Sequence, residues 1–484
     1  MDARVVARFE STLPPDDEHP YRTGAWQPNV TEWSVTDCDV EGDLPDDLSG
    51  VYLRNTENPL HPAIGRYHPF DGDGMVHAIE FGNGAANYRN RFVRTAGFEA
   101  ELATGGPLWA GLAESPKKSR RDGWGARTRL KDSSSTDVVV HAGRAFTSFY
   151  QCGDLYGLDP HTLEQFGPEG WAGRFPPDGV SAHPKADERT NELLFFNYST
   201  QAPFLNYGVV NEDHELVHYE PVELPGPRLP HDMAFTEHYA ILNDCPLFWD
   251  PELISRGIYA ARFHHDLPTR IGVIPRRGTN DDIRWFECDP TYVLHWINAF
   301  DDGDDVVVDG FFECNPSPDM PPDSSIEARL FRYLDSNVLE PKPYRWRLNM
   351  RTGAVKEEFI HDRITEFGTV NANYAGRPYR YTYSTTAKPG AFLFDGLMRT
   401  DVTTGATKDY RFGDGVYGSE APFAPRRGST AEDDGYLVTF ITDMNRNSSE
   451  CLVLDASRIA DGPIARVRLP ERISSGTHSH WMAT

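Results

Sequence analysis

A strand end followed by a polar turn recurs along this chain at nearly even steps, and that recurrence limits the fold more than any other feature. Leu348-Asn349-Met350-Arg351-Thr352-Gly353 returns as Thr400-Asp401-Val402-Thr403-Thr404-Gly405, and Asp401 lies 52 residues beyond Asn349. A third copy, Leu454-Asp455-Ala456-Ser457, follows with Asp455 54 residues beyond Asp401, and Leu158-Asp159-Pro160-His161-Thr162-Leu163 is a fourth. A four-stranded blade with its loops takes about 40–50 residues, so the step predicts an all-β chain of about seven or eight propeller blades. The repeat alone also fits a large sandwich. Short β-branched or aromatic runs bounded by Gly, Asp, Asn or Pro agree with strands: Val51–Asn55, Asp137–Tyr150 broken at His141-Ala142-Gly143-Arg144, Glu192–Tyr198, Tyr239–Asn243, Asp305–Cys314, Tyr344–Leu348, Tyr436–Ile441 and Cys451–Asp455. The 41 glycines and 37 prolines supply the turns that such a fold needs.

Residues 1–45 are polar and Pro-rich and read as an N-terminal arm; 46–484 read as one propeller catalytic domain. Four long, less regular stretches, about 101–129, 206–230, 248–279 and 315–329, read as cap insertions over one face. Trp109, Leu112, Phe248, Trp249, Leu253 and Ile254 make parts of that cap apolar, as a mouth taking substrate from a membrane surface would be. A net charge of −26 repels phosphate backbones and argues against nucleic acid as a partner. The six cysteines show no CxxC spacing, the first ten residues hold no apolar leader, and no run approaches 18 apolar residues. A cytoplasmic protein is expected; oligomeric state is not legible.

Three histidines share one local context. His183 (Ser181-Ala182-His183-Pro184), His231 (Pro230-His231-Asp232) and His295 (Leu294-His295-Trp296) each precede a hairpin turn and then an apolar strand. Equivalent positions on different blades lie at equal radius, so inner-strand starts converge on the propeller axis. A fourth candidate lies in the tail Gly476-Thr477-His478-Ser479-His480-Trp481, which a propeller brings round to close the ring. Imidazole nitrogen suits Fe, Zn, Cu or Ni. Four neutral histidines leave an ion its full positive charge; beside open positions it could bind oxygen, whereas zinc so held would be closed and structural. His68, His77, His141, His238 and His480 lack the histidine–turn–strand order.

These residues resemble the carotenoid cleavage oxygenase family, from about Asp43 to Trp481. The matching strings are Gly50-Val51-Tyr52-Leu53-Arg54-Asn55 with Asn58-Pro59, Tyr67-His68-Pro69-Phe70-Asp71-Gly72-Asp73-Gly74-Met75-Val76-His77, Ala182-His183-Pro184, Pro230-His231-Asp232, His295 with Asn298-Ala299, and Gly476 to Trp481. The resemblance implies a seven-bladed propeller holding Fe(2+) through His183, His231, His295 and His478, the tail pattern selecting His478 over His480. It implies that Glu366 and Glu420 hold ligand imidazoles. A third such glutamate is Gln151 here, which can accept from an imidazole N–H but without charge. Thr136 resembles a residue lining the oxygen site. Stilbene-cleaving members position a substrate phenol with a lysine and a tyrosine. Lys131 falls at that lysine and Phe98 at the tyrosine, so one polar handle is absent.

The implied activity is oxidative cleavage by O2 of a conjugated carbon–carbon double bond in an apolar small molecule, giving two carbonyl products. Three readings follow: a dioxygenase of stilbenes or phenylpropenoids, a dioxygenase of carotenoids or apocarotenoids, and a metal-containing propeller that isomerises or binds without cleaving. Lys131 speaks for the first and the apolar cap for the second.

Overall fold

The structure, a computed structural model, describes residues 1–121, 131–249 and 261–484. The chain is a seven-bladed β-propeller of short antiparallel strands with few helices. Two compact units divide it. The first comprises 1–169, 393–399 and 408–484, and the second 170–392 and 400–407.

Three blades belong to the first unit. One runs in the order Asp2–Arg8, Thr31–Thr36, Ala85–Phe92, Gly74–Gly82, Gly50–Glu57, Ser479–Ala483. The next holds Gln165–Pro168, Tyr156–Leu158, Arg144–Ser148 and Asp137–His141. The last runs Val40–Gly42, Pro463–Arg468, Ser448–Asp455, Gly435–Asp443, Val416–Tyr417, with Phe423–Pro425 also on Gly435–Asp443. The chain ends are knitted in twice here. The tail strand pairs with Gly50–Glu57, placing Trp481 opposite Tyr52, and Val40 lies opposite Val467. The expected arm over 1–45 thus carries three strands, Asp2–Arg8, Thr31–Thr36 and Val40–Gly42. In the second unit Lys185–Asp187 leads a blade completed by Glu192–Tyr198, Phe204–Val210 and Leu216–Glu223. Ala234–Phe235 leads Tyr239–Asp244, Thr269–Pro275 and Arg284–Cys288, and Trp296–Asp302 leads Asp305–Glu313, Pro341–Asn349 and Val355–Phe359. The seventh sheet is Glu366–Thr369, Tyr381–Ala387, Phe394–Asp401 and Ala406–Arg411.

The repeat that betrayed the fold is an Asx turn between the last two strands of four blades. The side-chain oxygen of the Asn or Asp accepts backbone N–H groups two and three residues on, so the turn closes without help from a partner strand. Asn349 Oδ1 accepts from Thr352 N at 2.8 Å, Asp401 Oδ1 from Thr404 N at 3.2 Å, Asp159 Oδ1 from Thr162 N at 2.7 Å and Asp455 Oδ1 from Ser457 N at 3.0 Å. Between sheets, alternate residues interlock. Tyr52, Ile79, Tyr88, Val438, Phe440, Val453 and Trp481 form one such layer in the first unit. Ile241, Val273, Trp296, Val308 and Trp346 form another in the second. This burial of alternating apolar residues is what holds neighbouring blades together within each unit.

One cap insertion is corrected. Residues 206–230 are occupied mainly by blade strands, Phe204–Val210 and Leu216–Glu223. The second is an outer strand with Val217 exposed and only Leu216 and Val222 buried, so its sequence lacks the apolar signal of an inner strand. Thr269–Pro275, inside 248–279, is likewise a blade strand. In 101–129 the end of helix Ala96–Thr104 and a short turn of helix at Pro116–Lys118 are seen, and 315–329 leads into helix Ile326–Phe331. Leu253 and Ile254 lie outside the described residues. Among the described residues no helix is long and apolar enough to cross a membrane.

Candidate metal centre

Each blade begins at one end with a short strand, and the residue at the head of that strand is where chemistry gathers. Thr136 immediately precedes Asp137–His141, and His183 lies just before Lys185–Asp187. His231 leads to Ala234–Phe235, and His295 immediately precedes Trp296–Asp302. Glu366 opens Glu366–Thr369, Glu420 lies ahead of Phe423–Pro425, and His478 immediately precedes Ser479–Ala483. Seven blades therefore present four histidines, two glutamates and one threonine at equivalent places.

His183, His231, His295 and His478 are all buried, and one nitrogen from each lies within 4.8 Å of those of the other three. His183 Nε2 and His231 Nε2 stand 3.0 Å apart, with rings nearly perpendicular at 84°. Two nitrogens ligating one ion at right angles, each at about 2.1 Å, would stand that far apart. The donor set therefore fits a divalent transition metal that accepts imidazole. His480, two residues beyond His478, is not in the group.

One carboxylate holds a ring from behind, and a second stands close to another ring. His295 Nδ1–H donates to Glu366 Oε2 at 2.7 Å, which leaves Nε2 with its lone pair for a metal. Glu366 is itself fixed by the Phe367 backbone N–H at 2.6 Å. His478 Nδ1 stands 3.6 Å from Glu420 Oε1, and Glu420 Oε2 accepts from the Ser479 backbone N–H at 2.7 Å. Next to His231, Asp232 is locked by Lys185 at 2.7 Å and by the Trp296 backbone N–H at 2.9 Å. Gln151 is half-buried just before the short strand Cys152–Gly153. Glu366→Gln is expected to weaken metal binding by about 10–100-fold, read by competition with a chelating dye. Unchanged affinity would show that the carboxylate charge behind His295 is irrelevant.

Thr136 is buried, and its Oγ1 has no hydrogen-bond partner among the described residues, while its carbonyl accepts from Thr477 Oγ1 at 3.4 Å. Phe98, in the first turn of helix Ala96–Thr104, is 2% exposed and stacks on Phe92 with centroids 5.0 Å apart. Lys131 is not a free handle. Its Nζ lies 2.8 Å from Glu101 and 3.1 Å from Asp73, two acids that sequence reasoning did not connect with it. Burial by itself would lower the Lys131 pKa, but Asp73 and Glu101 together raise it above the ordinary lysine value. Burial also raises Asp73 against the pull of Lys131, whereas Lys131 and the Leu108 and Trp109 N–H groups outweigh burial and lower Glu101. The sequence carries no spacing signal for Glu101, because helix and loop meet only in the fold.

Residues 26–483 match the family model described as "Retinal pigment epithelial membrane protein". The carotenoid 9,10(9',10')-cleavage dioxygenase 1 of Pisum sativum is 32% identical over 98% of this chain and 91% of its own length. The lignostilbene-α,β-dioxygenase isozyme III of Sphingomonas paucimobilis is 29% identical, over 95% and 96%. Among solved structures, the Pseudomonas brassicacearum lignostilbene dioxygenase superposes with a TM-score of 0.85 at 27% identity, covering 97% of this chain and all (100%) of that one. A cobalt-substituted Synechocystis apocarotenoid oxygenase gives a TM-score of 0.82 at 26% identity, over 95% and 98%.

Proposed function

Since the chain belongs to the carotenoid cleavage oxygenase family, we propose that it is an iron(II) dioxygenase splitting a conjugated double bond of an apolar stilbene, phenylpropenoid or apocarotenoid. The observation that carries this reading is the group of four buried histidines with no carboxylate among the ligand atoms. Bound iron(II) would supply coordination positions at which oxygen can be reduced beside the substrate. The residues of this chain do the rest. His183, His231, His295 and His478 offer the ligand nitrogens, and Glu366 holds His295 in the tautomer whose Nε2 carries the lone pair. Thr136, which by resemblance lines the oxygen site, carries a hydroxyl that no described group engages. Each alkene carbon takes one oxygen atom of the same O2, both products are carbonyls, and no external reductant is consumed. No acid or base of the protein is required. The buried free thiols Cys38, Cys245, Cys288 and Cys451 support a reducing cytoplasm as its location.

Iron-loaded protein incubated with resveratrol, isoeugenol and an apocarotenal under ¹⁸O2 is expected to give two singly labelled carbonyl products from one of them. Aromatic aldehydes assign the stilbene or phenylpropenoid branch, and shortened apocarotenals the other. No oxygen uptake with any of the three would return the chain to a non-cleaving metal propeller. A specific observation favours the apocarotenoid branch: Phe98 offers no hydroxyl, and the Lys131 ammonium is already neutralised by two carboxylates. Phe98→Tyr is therefore expected to raise kcat/KM for resveratrol relative to the apocarotenal by about fivefold to tenfold, one hydrogen bond's worth. An unchanged ratio rejects position 98 as a determinant of specificity.

A further inference from the structure

Glu57 ends the strand Gly50–Glu57 and is 2% exposed. Neither of its carboxyl oxygens has a hydrogen-bond partner among the described residues. Burying a carboxyl group without a partner costs several kcal/mol, so such a group needs a reason. Arg54 does not provide it. Residues three apart on a strand face opposite ways, and the Arg54 guanidinium donates to the Ser474 carbonyl at 2.8 Å and covers Phe440 instead.

Asn55 shares the Glu57 face, and it shows what that face meets. Its side chain donates to the carbonyls of Ser134 and Asp137, which bracket Thr136, at 2.9 and 3.1 Å. Its backbone N–H donates to the His478 carbonyl at 3.2 Å. Glu57 and Thr136 are thus two of the buried polar side chains left without partners among the described residues, and both lie beside the backbone that carries His478.

We propose that Glu57 is a positioning residue for the metal centre, a buried carboxylate whose counter-charge is the ion held at His478. This rests on the metal-binding reading above. Four neutral imidazoles do nothing to offset a divalent charge taken out of water; Glu366 and Glu420 stand behind two of them, and a further fixed carboxylate nearby adds to that offset without occupying a coordination position. The cost of burying Glu57 then falls on the metal-free protein and is relieved by the ion. Glu57 therefore lowers apo stability and raises metal affinity, two effects of opposite sign.

The test is titration of metal-free protein with Co(II), followed by its visible absorption, together with the melting temperature of the metal-free form. Glu57→Gln, which keeps the shape and removes the charge, is expected to weaken Co(II) binding about tenfold or more while leaving apo Tm equal or higher. Glu57→Asp, which keeps the charge, is expected to stay closer to the parent affinity. Parent-like Co(II) affinity in Glu57→Gln overturns the proposal, and so does a loss of affinity accompanied by a lower apo Tm, which marks a purely structural role. If the parent itself takes up no Co(II) or Fe(II), the metal-centre reading falls first and this one with it.

Discussion

His478→Ala is expected to lose double-bond cleavage and metal together, each by more than about 100-fold, beyond what losing a group behind a ligand costs. Its nitrogen is one of four within 4.8 Å, and no fifth histidine of the described residues stands ready to replace it. The contrast is His480→Gln. His480 sits opposite Leu53 in the strand that follows and takes no part in the four-nitrogen group, so that variant is expected to keep its metal and its rate. Metal content by mass spectrometry and oxygen uptake on the substrate identified above read both. A His478→Ala protein that binds iron at parent stoichiometry would mean that the ion sits elsewhere, and the proposed chemistry would lose its place.

Lys131→Met is expected to destabilise the protein by about 3–5 kcal/mol, the cost of leaving a buried charge without its partner. Here two carboxylates, Asp73 and Glu101, lose the one ammonium between them. Urea unfolding of the metal-free protein measures it, and adding Asp73→Asn and Glu101→Gln to Lys131→Met is expected to recover most of the loss. The pH dependence follows from Glu101, whose carboxyl Lys131 and two backbone N–H groups hold below its ordinary value of 4.5. A depressed carboxyl contributes stability above its unfolded pKa and loses it as pH falls through the folded one. The gap between parent and Lys131→Met should therefore stand at neutral pH and narrow on acidification below 4.5. Equal urea midpoints at pH 7 would show that the three groups are not a buried ionic cluster at all.

The two predictions differ in how far each could be foreseen. His183, His231 and His295 were legible because each sits in a local string, a histidine ahead of a turn and an apolar strand, and local strings survive in one dimension. His478 was legible by its resemblance to a family tail pattern. Lys131 stood out as one of few lysines, yet its partners did not, since Asp73 and Glu101 are separated from it by 58 and 30 residues. Glu57 reads in sequence as an ordinary polar residue at a strand end, and only its burial without a partner marks it. Residues 206–230 misled for the opposite reason. An outer strand that faces water on one side keeps polar residues and hides its own periodicity.

The sequence alone determined the repeating unit, because an Asx turn such as that at Asn349 or Asp401 is closed by its own side chain within three residues. Alternating apolar residues likewise determined the strands. Tertiary structure decided everything that depends on ring closure: which strand heads meet, that His183 and His478 approach across 295 residues of chain, and which acids are stranded beside them. Backbone hydrogen bonds and turns are satisfied among near neighbours. A metal charge and its counter-charges are balanced in space, where distance along the chain has no bearing.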